Sequence, residues 1–398
     1  MPVRSNKVNP EGADRRGLLA TARNRKMARS PHAYVRGNTA RFYEWLAEDS
    51  GDSICVGPPV WICGDCHTGN LGPIADVDGH VSIHIRDLDQ TVIGNPSHDL
   101  IRLGLSLATI ARGSSLPGIL TARMLEALLR GYMKGLLDPQ PLNTDIAPSI
   151  HIMYRQALRR RWRDLAAERI GANHRRIPLG DRFWSVSDVQ RARLEDLVRT
   201  SAVEALVTDL THRDADDELK LRDAAYWVKG CSSLGSLRYA LLMEVGRSPC
   251  LLDVKAALAP LAPAATGAKM PVDEGTRVVA GATALSPSLG KRMVAGAVGT
   301  QSVFLRELLP QDLKIDIEQL SEDEAGSVAF LLASVVGQAH GNQLRRSDAK
   351  AWAATLRKSH PKTLAAPSWL WTAIVRSIAR HETEYLIHCR RYASLSQP

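Results

Sequence analysis

Apolar residues recur every three or four positions over long stretches of the chain and alternate with polar ones over a few short stretches, so helices and strands can be told apart. Leu18–Met27 reads as a first helix, stopped at Ser30-Pro31 because a residue before proline is pushed out of the helical region. Asn38–Glu48 reads as a second, and residues 51–59, rich in Gly and Pro, as a loop. Leu71–Ala75 and Val81–Ile85 form an expected hairpin around a turn at Asp76–Gly79, and a helix begins near Asp99. Helices then follow over Leu100–Arg112, Thr121–Leu137, Ile150–Glu168 and Val186–Leu210, with spacings such as Leu120, Met124 and Leu128. Pro139, Pro141, Pro148 and Pro178 punctuate them. Thr211–Arg222 reads as a connector.

The pattern changes at Ala224. Ala225–Lys229 and Leu237–Val245 read as strands on either side of GCSSLGS (230–236), with Cys250–Ala256 as the next strand. An Ala/Pro/Gly linker from Ala259 to Lys269 leads to a helix at Asp273–Leu285 and a strand at Gln301–Glu307. LLPQDLK (308–314) reads as a crossing back to helices at Glu324–His340 and Trp369–Tyr392. The expected class is α+β, a large, mostly helical part and a small antiparallel β-rich part. The expected division is a basic helical arm (1–59), a helical part (60–222), a β-rich part (223–315) and C-terminal helices (316–398).

Composition is that of a globular protein, 44% hydrophobic against 23% charged in 398 residues, enough to bury a sizeable core. No apolar run is long enough to span a bilayer, and the first residues lack the apolar stretch of a signal peptide, so a soluble cytoplasmic protein is expected. The net charge of +9 is uneven. Residues 1–45 hold ten Lys/Arg against three Asp/Glu, and residues 155–193 hold eleven Arg against four Asp/Glu. Such clusters suit a phosphorylated substrate, an anionic membrane surface or nucleic acid, or are solvated helix faces. Few aromatics interleave with the Arg-rich run, which weakens the case for stacking on single strands.

The candidate chemistry concentrates between Trp61 and Leu105. GDCHTGN places Asp65 five positions before Asn70, and the hairpin then delivers Asp87 and Asp89. In kinases a loop Asp accepts the proton of the substrate hydroxyl, an Asn further along binds Mg2+, and an Asp after a strand completes the metal site. Asp65 is then the base, Asn70 and Asp87 the ligands, and Asp89 a second ligand or loop anchor. Mg2+ prefers hard oxygen donors, which suits this set. Other readings share the stretch. Cys63-Gly-Asp-Cys66-His67 fits a haem-attachment or redox pattern, although small apolar filler in a reducing compartment accounts for both cysteines. Gly-Asp-x-His also begins a metallophosphoesterase motif, but no D-x-H lies upstream and the remaining His are scattered.

GDCHTGN resembles the catalytic loop of aminoglycoside-phosphotransferase-like kinases, and RDLDQTVIGNPSHDL is similar to their metal-binding segment. The resemblance implies that Asp87 is the metal Asp, that Asp99 braces the loop from a buried position, and that His67 braces rather than ligates. KMARSPHAYVRG (26–37), DLIRLGLSL (99–107), VKGCSSLGSLRY (228–239) and DVKAAL (253–258) resemble the bacterial domain-of-unknown-function 2252 family over most of the chain.

A Gly- and Ser-rich turn between strands can fold over phosphates because glycine lets backbone N–H groups approach closely. Gly230, Ser232, Ser233, Gly235 and Ser236 are the candidates. Lys255, one strand later, matches the phosphate-pairing lysine of kinases. Glu274, in the first turn of the next helix, is its candidate partner, and Arg36 is expected near the phosphates or in a structural salt bridge. These units follow the catalytic loop instead of preceding it, so the resemblance implies a circularly permuted, two-lobed, protein-kinase-like fold. ATP and Mg2+ are the expected cofactors and a small-molecule hydroxyl the expected acceptor. The alternatives are a pseudokinase that regulates a partner and a nucleic-acid-binding protein.

Overall fold

The computed structural model describes residues 12–49, 54–140, 142, 144–171, 176–209, 213–214, 216–230, 235–315, 317, 320–358 and 367–392. The fold is α+β, with antiparallel strand pairing throughout.

Ser30 both ends and begins a helix. Helix α1 (Gly12–Met27) stops before it, and its hydroxyl accepts from Ala33 N (3.1 Å) to cap α2 (Pro31–Gly37), with Pro31 in the first turn where its missing N–H costs nothing. Helix α3 (Thr39–Asp49) follows. Strand β1 (Val60–Ile62) leads into the loop that ends at Asn70. The expected hairpin is present as β2 (Leu71–Ala75) and β3 (Val81–Ile85), and β4 (Val92–Gly94) returns to pair with β1.

Helix α4 (Pro96–Gly113) is buried along nearly its whole length and forms the axis of the helical part. Helices α5 (Gly118–Leu137) and α12 (Glu322–Gly341) cross at very short range. A methyl group at Gly337 would overlap the carbonyl of Tyr132, and one at Gly135 that of Ser334. Small residues permit this approach, and larger ones would force the helices apart. Helices α13 (Arg346–Lys358) and α14 (Ser368–Tyr392) close the outer side, with α14 against α2, α3 and α4.

The expected helix over Ile150–Glu168 is two helices, α6 (Pro148–Arg159) and α7 (Trp162–Arg169). The carboxylate of Asp164 accepts from Arg161 N (2.8 Å), which starts a new helix there. Val186–Leu210 divides in the same way. Ser187 caps α8 (Asp188–Val198), and α9 (Ser201–Thr208) follows Thr200.

One six-stranded sheet organises the rest, in the order β5 (Phe183–Ser185), β6 (Leu219–Trp227), β7 (Arg238–Val245), β8 (Ser248–Ala256), β10 (Gln301–Glu307) and β9 (Met293–Val298). Strands β6 to β8 form a meander. The chain then passes through residues 257–273, forms α10 (Glu274–Leu285) and α11 (Pro287–Gly290), and returns as β9 and β10, with β10 against β8. Leu194, Leu197 and Val203 of α8 and α9 cover one face, packing with Leu241, Leu252 and Leu305. On the other face, Leu165 and Ile170 pack with Phe183, Trp227 and Leu251. β5 and β9 escaped the sequence pattern because three residues cannot show alternation and Met293–Val298 is small and apolar throughout. No helix among the described residues is long and apolar enough to cross a membrane.

Candidate functional site

The loop from Cys63 to Asn70 is held by one face of α4. Asp99, in the first turn, accepts from Cys63 N (2.7 Å) and Gly64 N (3.0 Å). One turn later Arg102 donates Nε to Asp65 Oδ1 (2.9 Å), and a turn beyond that Ser106 Oγ accepts from Thr68 N (3.2 Å). The i, i+3, i+7 spacing aligns these three polar groups on one stripe, so a single rigid helix fixes three successive parts of the loop. His340 of α12 approaches Asp99 Oδ2 (3.3 Å), and its other nitrogen meets Tyr132 Oη (3.0 Å), which accepts from Trp352 Nε1 (3.1 Å). The brace expected of Asp99 is present in this buried chain. Arg102, Ser106 and His340 were missed by sequence reading, although two polar side chains spaced by turns after Asp99 in an apolar helix were a usable signal.

Asp65 is 4% exposed. Burial raises its carboxyl above the usual range, against the opposing pull of Arg102. Thr39 also hydrogen-bonds the Asp65 carboxylate, and His67 Nε2 lies 3.8 Å from Oδ2. Burial, followed by the charges of Arg36 and Arg102, drives the His67 imidazole well below its usual value, so it is neutral. Asn70 donates its Nδ2 to Asp65 O (2.9 Å), which assigns Oδ1 as the acceptor turned away from the loop. Among the described residues no donor reaches that oxygen.

Lys255 meets this loop from the sheet. Its Nζ donates to Asp87 Oδ1 (2.7 Å) across 168 residues of sequence. Burial alone would raise the Asp87 carboxyl, but Lys255 and Arg306 outweigh it and hold it below the usual range. Asp89 has the opposite fate. Burial and then the charge of Asp87 push it up to about 7. Asn70 Oδ1, Asp87 and Asp89 are hard oxygen donors facing one cavity, a set suited to Mg2+.

The expected Lys255–Glu274 pair does not form. Glu274 is taken by Arg277 one turn along α10 (2.6 Å), the neighbour a helix offers at i+3. Arg277 in turn binds the backbone oxygens of Thr91, Asp89 (3.1 Å) and Leu258 (2.9 Å), bolting α10 to the Asp87–Thr91 segment. Arg36 makes no ion pair among the described residues; its guanidinium carbon lies 3.1 Å from where a Cβ of Gly69 would be. Gly230 and Gly235 both hold positive φ (115° and 116°), a conformation that favours glycine. Ser236 follows, its carbonyl accepting from Tyr226 Oη (2.9 Å). Ser232 and Ser233 lie outside the described residues.

Two adjoining cavities share Asp89 and Arg238. The smaller, 160 Å³, is lined by Lys255, Ser236, Leu258 and Leu261. The larger, 800 Å³, contains Asp65, His67, Asn70 and Asp87, and nine lysine or arginine side chains against three aspartates. Arg238 pairs with Asp253 through Nε (2.7 Å) and Nη2 (2.5 Å), and Arg306 approaches the same carboxylate (3.8 Å). Sequence reading missed these two arginines because each comes from a different strand.

The sequence pattern of a family described as an uncharacterized protein conserved in bacteria (DUF2252) matches residues 15–391. The chain belongs to this family. Neither the curated proteins nor the solved structures contain a match. In this DUF2252 protein Cys63 and Cys66 are buried free cysteines. Their mutual hydrogen bond and burial raise the Cys63 thiol well above its usual value, and burial raises Cys66 despite that bond. Neither is thereby activated as a thiolate. The His/Asp cluster with mutually close ligand atoms among the described residues, Asp76, Asp78 and His80, lies at the hairpin turn, where Asp76 Oδ1 accepts from Asp78 N and His80 N.

Proposed function

We propose that this protein is an ATP- and Mg2+-dependent phosphotransferase acting on a hydroxyl of a small molecule. The observation that carries the reading is the meeting of Lys255 with Asp87, five residues of loop and a hairpin away from Asp65. Kinases need a strand lysine, a metal aspartate, a loop asparagine and a base in one cleft. Here Asp65, Asn70 and Asp87 come from one stretch of chain and line one cavity, and Lys255 reaches Asp87 from a strand 168 residues further on.

In this reading the acceptor oxygen attacks the γ-phosphorus, the bond to the β,γ-bridging oxygen breaks, and ADP leaves with the electron pair. Asp65 takes the hydroxyl proton on Oδ2, while Arg102 keeps Oδ1 fixed. Asn70, Asp87 and Asp89 would hold Mg2+, which supplies charge neutralisation at the transferring phosphoryl group. Lys255 brings a cation to the phosphates, and the turn opened by Gly230 and closed by Gly235 and Ser236 covers them. The meander β6–β8, helix α10 and strands β9–β10 follow the order expected of a kinase small lobe. They come after the catalytic loop, which supports a permuted, two-lobed arrangement completed by α12–α14.

The test is a thermal-shift titration with ATP, with and without Mg2+, on wild type and Asp87→Ala. A ligand that binds only the native state raises the melting temperature by mass action. A Mg2+-dependent rise that vanishes in Asp87→Ala is expected. No rise at millimolar ATP would end the reading.

A further inference from the structure

The larger cavity is more cationic than the chemistry above requires. Two of its three carboxylates are already engaged, Asp65 by Arg102 and Asp87 by Lys255. Arg238 and Arg306 share Asp253, and Arg169 pairs with Glu168 (3.0 Å). Arg36, Arg86 and Lys229 have no carboxylate within 4.0 Å among the described residues. Arg36 Nε and Arg86 Nε are also buried without a hydrogen-bond partner. Lys229 rests over the Trp227 ring (4.1 Å), and burial followed by the charges of Arg238 and Arg169 drives its ammonium well below the usual lysine range. Half-buried cations that line one cavity repel one another, and an anion bound among them relieves this.

Their placement indicates which anion. The guanidinium of Arg36 and the side chain of Lys314 both come within 3.1 Å of the position a Gly69 Cβ would occupy. Gly69 lies between Asp65 and Asn70, so this pair of cations stands over the catalytic loop. Lys255, the lysine assigned to the nucleotide, lines the other cavity. Guanidinium groups bind phosphate oxygens in a fixed fork, and an 800 Å³ chamber holds a sugar-sized molecule with its phosphate.

We propose that the acceptor is itself a phosphorylated small molecule, its phosphate bound by Arg36 and Lys314 beside Gly69 while its free hydroxyl reaches Asp65. The inference rests on the phosphotransferase reading. A neutral sugar or alcohol would leave Arg36 and Lys229 uncompensated. A molecule bearing phosphate satisfies them and is oriented by them.

The experiment is equilibrium binding of radiolabelled inorganic phosphate to the full-length protein, with and without a saturating non-hydrolysable ATP analogue and Mg2+. Wild type is compared with Arg36→Gln and Lys229→Gln, two cations that line the same chamber. Phosphate is expected to bind alongside the nucleotide, at least tenfold more weakly in Arg36→Gln, with nucleotide affinity changed less than twofold. Competition between phosphate and nucleotide would assign the cations to the nucleotide's own phosphates and overturn the proposal. Equal phosphate binding in wild type and both variants, or none at millimolar phosphate beside bound nucleotide, would also overturn it while leaving the phosphotransferase reading intact. Failure of the nucleotide analogue to bind removes that reading and the inference with it.

Discussion

Arg102 reaches Asp65 through a 2.9 Å bond from Nε to Oδ1, one turn of α4 beyond the aspartate that holds Cys63 and Gly64. Arg102 is fully buried; its Nη2 donates to Val35 O (2.7 Å), and it stacks on Phe42 (4.9 Å). Its position is therefore rigid, and so is the carboxylate it holds. In the proposed reaction Arg102 acts through Asp65 and is a positioning residue.

Arg102→Met should lower kcat on the order of 10²-fold through misplacement of the base, with little change in KM for ATP. Arg102→Lys should recover part of the rate. Steady-state kinetics separates the two parameters. A parallel loss of nucleotide binding would show that the arginine serves the fold alone.

Lys255→Met should lower kcat by roughly 10²–10³, the usual loss when one preorganised charge at a reacting group is removed. The variant should stay folded by circular dichroism, because the Asp87 side chain is 38% exposed and water can replace its partner. Wild-type turnover in Lys255→Met would remove the lysine from the mechanism.

Asp99→Ala should destabilise the protein by about 3–5 kcal/mol, the range for breaking a buried charged network from one side. Cys63 N and Gly64 N lose their acceptor and His340 its partner. The urea midpoint measures this, and a change below about 1 kcal/mol would contradict the brace.

Gly337→Ala should cost about 1–3 kcal/mol or more through overpacking against the Tyr132 backbone. Gly326→Ala, on the same helix with open space around it, is the control and should be neutral or slightly stabilising. Thermal melts of the pair compare a crowded and an uncrowded position.

His381 predicts a pH effect. Burial, followed by the charge of Arg102, lowers its imidazole from 6.5 to about 3. Its Nδ1 meets Ser377 O (2.8 Å), Nε2 is unpartnered, and the rings of Trp45 and Tyr34 face it. A folded-state value below the unfolded one means the unfolded chain takes up the proton first. Stability is thus complete above about pH 6.5 and declines as the pH falls towards 3, by about 1.4 kcal/mol per unit. Between pH 7 and 5, His381→Phe should lose about 2 kcal/mol less than wild type in urea unfolding. An identical loss in both would place the acid sensitivity elsewhere.

The sequence by itself determined the local structures and the loop. The β2–β3 hairpin lay open in its alternation and its Asp-Val-Asp-Gly turn, and the main helices in their 3.6-residue period. Asp65, Asn70, Asp87 and Asp99 are close in sequence, so their spacing already carried their relation. Breaks such as that between α6 and α7 were hidden, because a cap formed by Asp164 leaves the apolar period undisturbed. Only the tertiary structure decided which distant groups meet. Lys255 chose Asp87 over Glu274 because Arg277, one helical turn away, captured Glu274 first, while the sheet carried Lys255 to the loop. Arg36, Arg238 and Arg306 became one cationic wall for the same reason. Charge pairs between separate elements depend on how those elements pack, and packing is set by apolar surfaces that carry no record of which charges they will bring together.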